Sequence, residues 1–178
     1  IDDKTAFVSG STAGIGFAIA KALAAEGART IINGRTQAGV DEALAALRPG
    51  VKGELLGFAG DLSQAVTAEA LISAHPRVDI LVHNLGIFEP VPFEDISDED
   101  WRRFFEVNVM SGVRLSRLYL PGMRERDHGR IIFISSESGI QIPPEMVHYG
   151  MTKSAQIAVA RGLAECVAGT GITVNSVL

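Results

Sequence analysis

Cysteine is nearly absent. Cys166 is the single one in 178 residues, which excludes an internal disulfide framework and fits a reducing compartment. On the helix expected around it, a lone thiol reads as a small buried hydrophobe rather than a reactive group. Basic charge is also in deficit. The 16 Lys and Arg residues stand against 21 Asp and Glu, a net charge of −5, and the cations are scattered. That leaves no electrostatic footprint for nucleic acid, so none is expected as a partner. Long apolar runs are missing too: none approaches the ~18 residues of a membrane span. The first residues do not read as a signal peptide, and the expectation is a cytoplasmic protein with no membrane partner. The histidines, His75, His83, His128 and His148, are too dispersed for ligand spacing, so no metal is expected. No repeat, low-complexity segment or linker-like break divides the chain. It reads as one domain over residues 1–178, long enough to bury a core.

What is present is alternation. Strands are expected at Thr5–Val8, Thr30–Asn33, Glu54–Ala59, Asp79–Val82, Arg130–Ser135 and Gly171–Leu178. Between them lie helical patterns. Ile19, Ala20, Leu23 and Ala24 form an apolar stripe that Gly27 ends, and Gln37–Leu47 stops at Pro49-Gly50. A long helix opens on Asp98-Glu99-Asp100, where acidic residues suit a helix start, and reaches roughly Arg124. The last follows Pro143-Pro144 and carries Ile157, Ala160 and Leu163 at helical spacing. The unbroken run Ile80-Leu81-Val82 suits a parallel strand covered on both faces. The pattern predicts an α/β fold: a doubly wound, Rossmann-type parallel sheet in a three-layer αβα arrangement.

Two stretches carry chemistry. The first strand runs into Gly10-Ser11-Thr12-Ala13-Gly14-Ile15-Gly16 and then into a helix. Glycines let the backbone approach a pyrophosphate, and the free N–H groups and dipole of the helix start favour its charge. The spacing G-x-x-x-G-x-G differs from the general G-x-G-x-x-G fingerprint, but strand and helix flank it as that chemistry requires. The second stretch is Ser136 to Lys153. Tyr149 and Lys153 are four residues apart, hence on one helix face. A phenol is a poor acid/base at neutral pH, and an ammonium held beside a phenol favours the phenolate. Ser136 ends an apolar strand, where an open α/β sheet presents its ligand crevice. Asp61 ends the third strand, either capping the next helix or meeting a ligand. Asn108 is a polar residue among apolar neighbours, so its buried amide must find partners.

In these features the chain resembles the short-chain dehydrogenase/reductase family, over essentially its whole length. Gly10-x-x-x-Gly14-Ile15-Gly16 is similar to the family's nucleotide loop, with Ser9 where threonine is usual. Asp61 matches its adenine-contacting acid. Asn84 and Gly86 match the motif after strand four, although His83 and Leu85 replace its Asn and Ala. Asn108, Ser136, Tyr149 and Lys153 match its catalytic tetrad in order and spacing. The resemblance implies an NAD(P)(H)-dependent oxidoreductase that interconverts a secondary alcohol and a carbonyl. Tyr149 would be the acid/base, Lys153 its partner and the ribose contact, Ser136 the donor to the substrate oxygen, and Asn108 the holder of a water beside Lys153. Cofactor contacts are implied at Gly10, Ser11, Thr12, Gly14, Ile15, Gly16, Arg35, Asp61, Leu62, Asn84, Gly86, Tyr149 and Lys153.

Further expectations follow from the resemblance. Bulky Leu85 either alters the seat of the cofactor ring or only repacks. The end of the second strand reads Asn33-Gly34-Arg35, without the carboxylate that NAD-specific members carry. Arg35 suits a 2′-phosphate, so NADP(H) is the expected preference, with NAD(H) as the alternative. Apolar helix faces around Phe104–Leu115 and Ile157–Leu163 point to a homo-oligomer, a dimer or tetramer. Family members normally continue past the position of Leu178 with a substrate lid and a last strand, so a longer chain is expected. The reading in another class is a nucleotide-binding regulator or an inactive structural subunit. The regulator would not need to keep all four tetrad residues, and the inactive subunit would be one that truly lacks the lid segment.

Overall fold

The computed structural model describes residues 1–178. Six strands, β1 (Thr5–Val8), β2 (Arg29–Gly34), β3 (Leu55–Ala59), β4 (Ile80–His83), β5 (Gly129–Ile134) and β6 (Ile172–Val177), form one sheet. All pairings are parallel and the order is β3-β2-β1-β4-β5-β6. Six α-helices connect them: α1 (Gly14–Ala25), α2 (Gln37–Leu47), α3 (Ala65–Ala74), α4 (Asp98–Phe105), α5 (Ser111–Glu125) and α6 (Val147–Cys166). This is a Rossmann-type doubly wound sheet. The chain order reverses between β1 and β4, and such a reversal opens a crevice beyond the strands' C-terminal ends.

Successive strand side chains point to opposite faces, and along β1, β2 and β4 both faces are covered, whereas on β6 Thr173, Asn175 and Val177 are exposed. Phe7, Ile31, Leu81, Ile131 and Phe133 face one core with Leu71 of α3 and Leu115, Tyr119 and Met123 of α5. Their neighbours Ala6, Val8, Ile32, Ile80 and Val82 face the other, with Ala20 of α1 and Val40, Ala43 and Leu47 of α2. The apolar runs of the sequence are therefore strands buried from two sides.

Three expectations change. The long helix from Asp98 is not regular: α4 and α5 are joined by a π-helical turn, Glu106–Met110, centred on Asn108. Such wide turns re-aim a side chain at a functional site. Cys166 is exposed, not buried: as the last residue of α6 it lines the open groove beside α5, while the next residue, Val167, enters the core. Asp61 does not cap α3, whose N-cap is Gln64. Its carboxylate instead accepts from Ser63 N at 3.0 Å in the turn before that helix.

Candidate active site

The crevice has two hollows on either side of the glycine loop. The first, of about 160 Å³, is lined by Gly10, Thr12, Gly34, Arg35, Asp61 and Leu62 among others. The second, of about 210 Å³, is lined by Ile15, Asn84, Gly86, Phe88, Tyr149 and Lys153 among others. Between them lies the start of α1. Ala13 at its N-cap offers no side-chain acceptor, so the first N–H groups keep their capacity for an external anion. Gly14 has φ +58, and the space a Cβ would enter there is open. A Cβ on Gly16 would lie 2.4 Å from Asn84 Nδ2 and 2.5 Å from the Gly10 carbonyl oxygen, so only glycine lets loop and strand meet.

The loop is held by buried polar side chains. Ser9 Oγ accepts from the N–H groups of Asn84 and Leu85, both at 3.0 Å, tying β1 to the segment after β4. Asn84 Nδ2 donates to the carbonyls of Ser9 and Gly10, at 3.1 and 2.8 Å. Asn33 Oδ1 accepts from Gly10 N at 3.1 Å, while its Nδ2 donates to Phe58 and Gly60 carbonyls. Ser11 is fully buried, its hydroxyl donating to Val8 O and accepting from Asn33 N. Its side chain thus shapes the loop from within. Leu85 lies against Gly10 and the core and lines the first hollow. His83 is a core residue, its ring 4.5 Å from that of Phe133 and its Nε2 2.8 Å from Ser116 Oγ. Burial holds its imidazole down at about 3, so it stays neutral.

At the second hollow, Lys153 Nζ lies 5.5 Å from the Tyr149 ring centroid. Lys153 is 5% exposed, and burial pushes its ammonium down to about 8. Its Nζ donates to Ile134 O at 2.8 Å and to Gln156 Oε1 at 3.2 Å. The Asn108 amide is fully used: Oδ1 accepts from Ile87 N at 2.8 Å, and Nδ2 donates to Ile87 O and Thr152 Oγ1. Asn108 thereby fixes the loop that carries Gly86 into the hollow. Ser136 begins a short 3₁₀ turn, and its Oγ accepts from Ser138 N at 3.1 Å, which leaves its O–H free to donate. Neighbouring Ser135 donates to the Lys153 carbonyl at 3.0 Å, pinning α6 to β5.

Residues 4–178 match the family model described as short chain dehydrogenase. The chain belongs to the short-chain dehydrogenase/reductase family. It is 50% identical over 179 residues to the uncharacterized oxidoreductase YvaG of Bacillus subtilis, covering 100% of this chain and 68% of that one. It is 37% identical over 182 residues to D-beta-hydroxybutyrate dehydrogenase of Cupriavidus necator, covering 99% of this chain and 70% of the relative. Among solved structures, L-sorbose reductase from Gluconobacter frateurii, complexed with NADPH and L-sorbose, matches with a TM-score of 0.92. That pair is 33% identical over 99% of this chain and 68% of the other.

In this member of the short-chain dehydrogenase/reductase family the dinucleotide fits the residues present. The uncapped α1 start, the open space at Gly14 and the two flanking hollows suit a pyrophosphate with a ring system at either end. The sequence reading missed Gln156, Thr152, Ser135 and the bridging roles of Ser9 and Asn33. Gln156 and Thr152 carried one legible signal, being polar residues flanking Lys153 on a helix otherwise expected to be apolar there.

Proposed function

We propose that this chain is an NADP(H)-preferring oxidoreductase that interconverts a secondary alcohol and a carbonyl. The observation that carries the reading is the shared hollow: Tyr149 and Lys153 line it together with Gly86 and with Ile15 from the start of α1. The nicotinamide, when bound, supplies or takes up the hydride. In the reducing direction Tyr149 Oη gives its proton to the substrate oxygen, and in the oxidising direction it takes that proton back. The Lys153 ammonium favours the phenolate through charge, and its remaining N–H is available to ribose hydroxyls. Ser136 donates its free O–H to the same substrate oxygen as negative charge develops. Asn108 keeps Gly86 in place. An absorbance assay with NADPH and NADH on a panel of ketones and secondary alcohols tests the proposal. Turnover that needs Tyr149 supports it; binding of cofactor with no turnover on any substrate favours the regulator or inactive-subunit reading.

The NADP(H) preference rests on Arg35, which lines the first hollow, is exposed and forms no ion pair. A side chain at Gly34 would also crowd that hollow, since a Cβ there meets Thr12 Cγ2 at 2.5 Å. The L-sorbose reductase that the fold matches was solved with NADPH, which agrees with this choice. NAD(H) use is the second reading, favoured by Ala13, which brings no further cation to the loop.

Assembly into a homo-oligomer belongs to the same proposal. An apolar groove of about 490 Å³ runs between α5 and α6, lined by Val113, Leu120, Pro121, Val159 and Leu163 among others. A second copy of this chain would cover it. No helix is long and apolar enough to cross a membrane. A cytoplasmic location is part of the same reading, and the lone cysteine is compatible with it.

A further inference from the structure

Gln156 is 1% exposed, and both ends of its amide are occupied. It lies on α6 three residues beyond Lys153, so the two side chains share a face. Its Oε1 accepts from Lys153 Nζ at 3.2 Å, and its Nε2 donates to the main-chain carbonyl of Asn108 in the π turn. The two partners dictate which way round the amide sits. An ammonium only donates and a carbonyl oxygen only accepts, so the flipped amide would set donor against donor and acceptor against acceptor. The resemblance gave a water the place beside Asn108 and Lys153. Here one side chain spans the Asn108 carbonyl and the lysine.

We propose that Gln156 is the positioning residue of Lys153: anchored through Nε2 on the π turn, it holds the ammonium through Oε1 and aims its third N–H at the hollow shared with Tyr149. The inference rests on the reading of Lys153 as the partner of Tyr149. The ammonium has three N–H groups, and Ile134 O of β5 and Gln156 Oε1 of α6 take two of them. Gly86, from the segment after β4, faces Nζ as well, since a Cβ there would lie 3.7 Å away. Tyr149 is the one titratable group against it; the remaining faces present Ile134, Gly86, Asn108 and Gln156, which carry no charge. Lys153 is in none of the ion pairs of the molecule. The cation is therefore hydrogen-bonded without being neutralised, which leaves its field available to the phenol. Burial already holds it down to about 8, so the loss of one acceptor moves it into the working range.

The test is a titration of the ammonium itself, in the full protein without cofactor or substrate. Lysine labelled with ¹³C at Cε is followed by NMR from acid to alkaline pH, and the signal lost in Lys153→Met assigns Lys153. In Gln156→Met, which keeps the volume and removes the acceptor, the midpoint should fall by about one pH unit. In Gln156→Glu, which adds a negative charge, it should rise by a similar amount, and this variant serves if the apolar one is too unstable to titrate. The alkaline limb of kcat/KM with NADPH should follow in the same two directions. A purely structural glutamine would lower melting temperature in both variants and move neither midpoint. An unmoved midpoint in folded Gln156→Met, or in Gln156→Glu where Met does not fold, overturns the proposal. Midpoints that shift in a protein without turnover uphold the Gln156 contact and refute the enzyme reading; normal turnover with unmoved midpoints does the reverse.

Discussion

At the scale of single residues the site separates groups that reach into the hollows from groups that hold them. Tyr149 is of the first kind. Tyr149→Phe keeps the ring against Phe88 (centroids 6.2 Å apart) and removes only the hydroxyl. Turnover should fall by at least roughly 10²–10⁴-fold, while NADPH binding measured by fluorescence titration persists. Near-native turnover would remove Tyr149 from the mechanism. Arg35 is of the first kind as well. Arg35→Ala should reduce the ratio of kcat/KM for NADPH over NADH by roughly ten- to a hundredfold, the value of a charge-assisted contact. An unchanged ratio, or a wild type that prefers NADH, would mean that Arg35 does not read the phosphate. Both residues were legible in the sequence because each sits beside a turn or strand end whose place is set by local pattern. Gln156 showed only as a polar residue near Lys153, since nothing local distinguishes a glutamine facing solvent from one facing a lysine and a carbonyl.

Among the elements, the π turn and β4 carry the most consequence. Asn108→Ala strips partners from the N–H and carbonyl of Ile87 and from Thr152 Oγ1. A cost on the order of 2 kcal/mol corresponds to a melting temperature lower by roughly 4–8 °C in calorimetry. A melt that does not move would show that the amide is not structural. On β4, His83 gives the fold an acid limit. As the pH drops below 6.5 the unfolded chain takes up a proton that folded His83 refuses until about 3, so stability falls through that window. Buried His148, against Phe104 and also held below its ordinary value by burial, acts in the same direction, although Asp100 opposes it. His83→Gln should flatten the loss of stability between pH 6.5 and 3 in denaturant titrations; a limb as steep as wild type would assign it elsewhere. Strand positions were legible to within a residue or two, most directly for the central strands, which are buried on both faces and read as continuous apolar runs. The break at Glu106–Met110 was not, since it answers to Ile87, a partner distant in sequence. Cys166 misled for a related reason: periodicity gives a helix face but not what covers it, and Cys166 lies on the open groove beside α5.

For the whole molecule, the groove between α5 and α6 is where assembly should show. Light scattering at micromolar concentration is expected to give an oligomer, a tetramer built from two-fold interfaces. Ala158→Glu puts a charge into that groove from an exposed position and should yield a smaller species. A wild-type monomer would contradict the assembly. The sheet order has a consequence of another kind, for synthesis. β1 and its glycine loop are made before the other five strands, yet β1 lies between β2 and β4, and the hollow beside that loop needs Tyr149 and Lys153. Gly16 and Lys153 are 137 residues apart. A ribosome adding about 5–20 residues per second takes roughly 7–30 s to cover that distance. Throughout that interval the nascent chain carries the glycine loop without the side chains that face it across the hollow, and one edge of β1 stands open to other chains until β4 arrives.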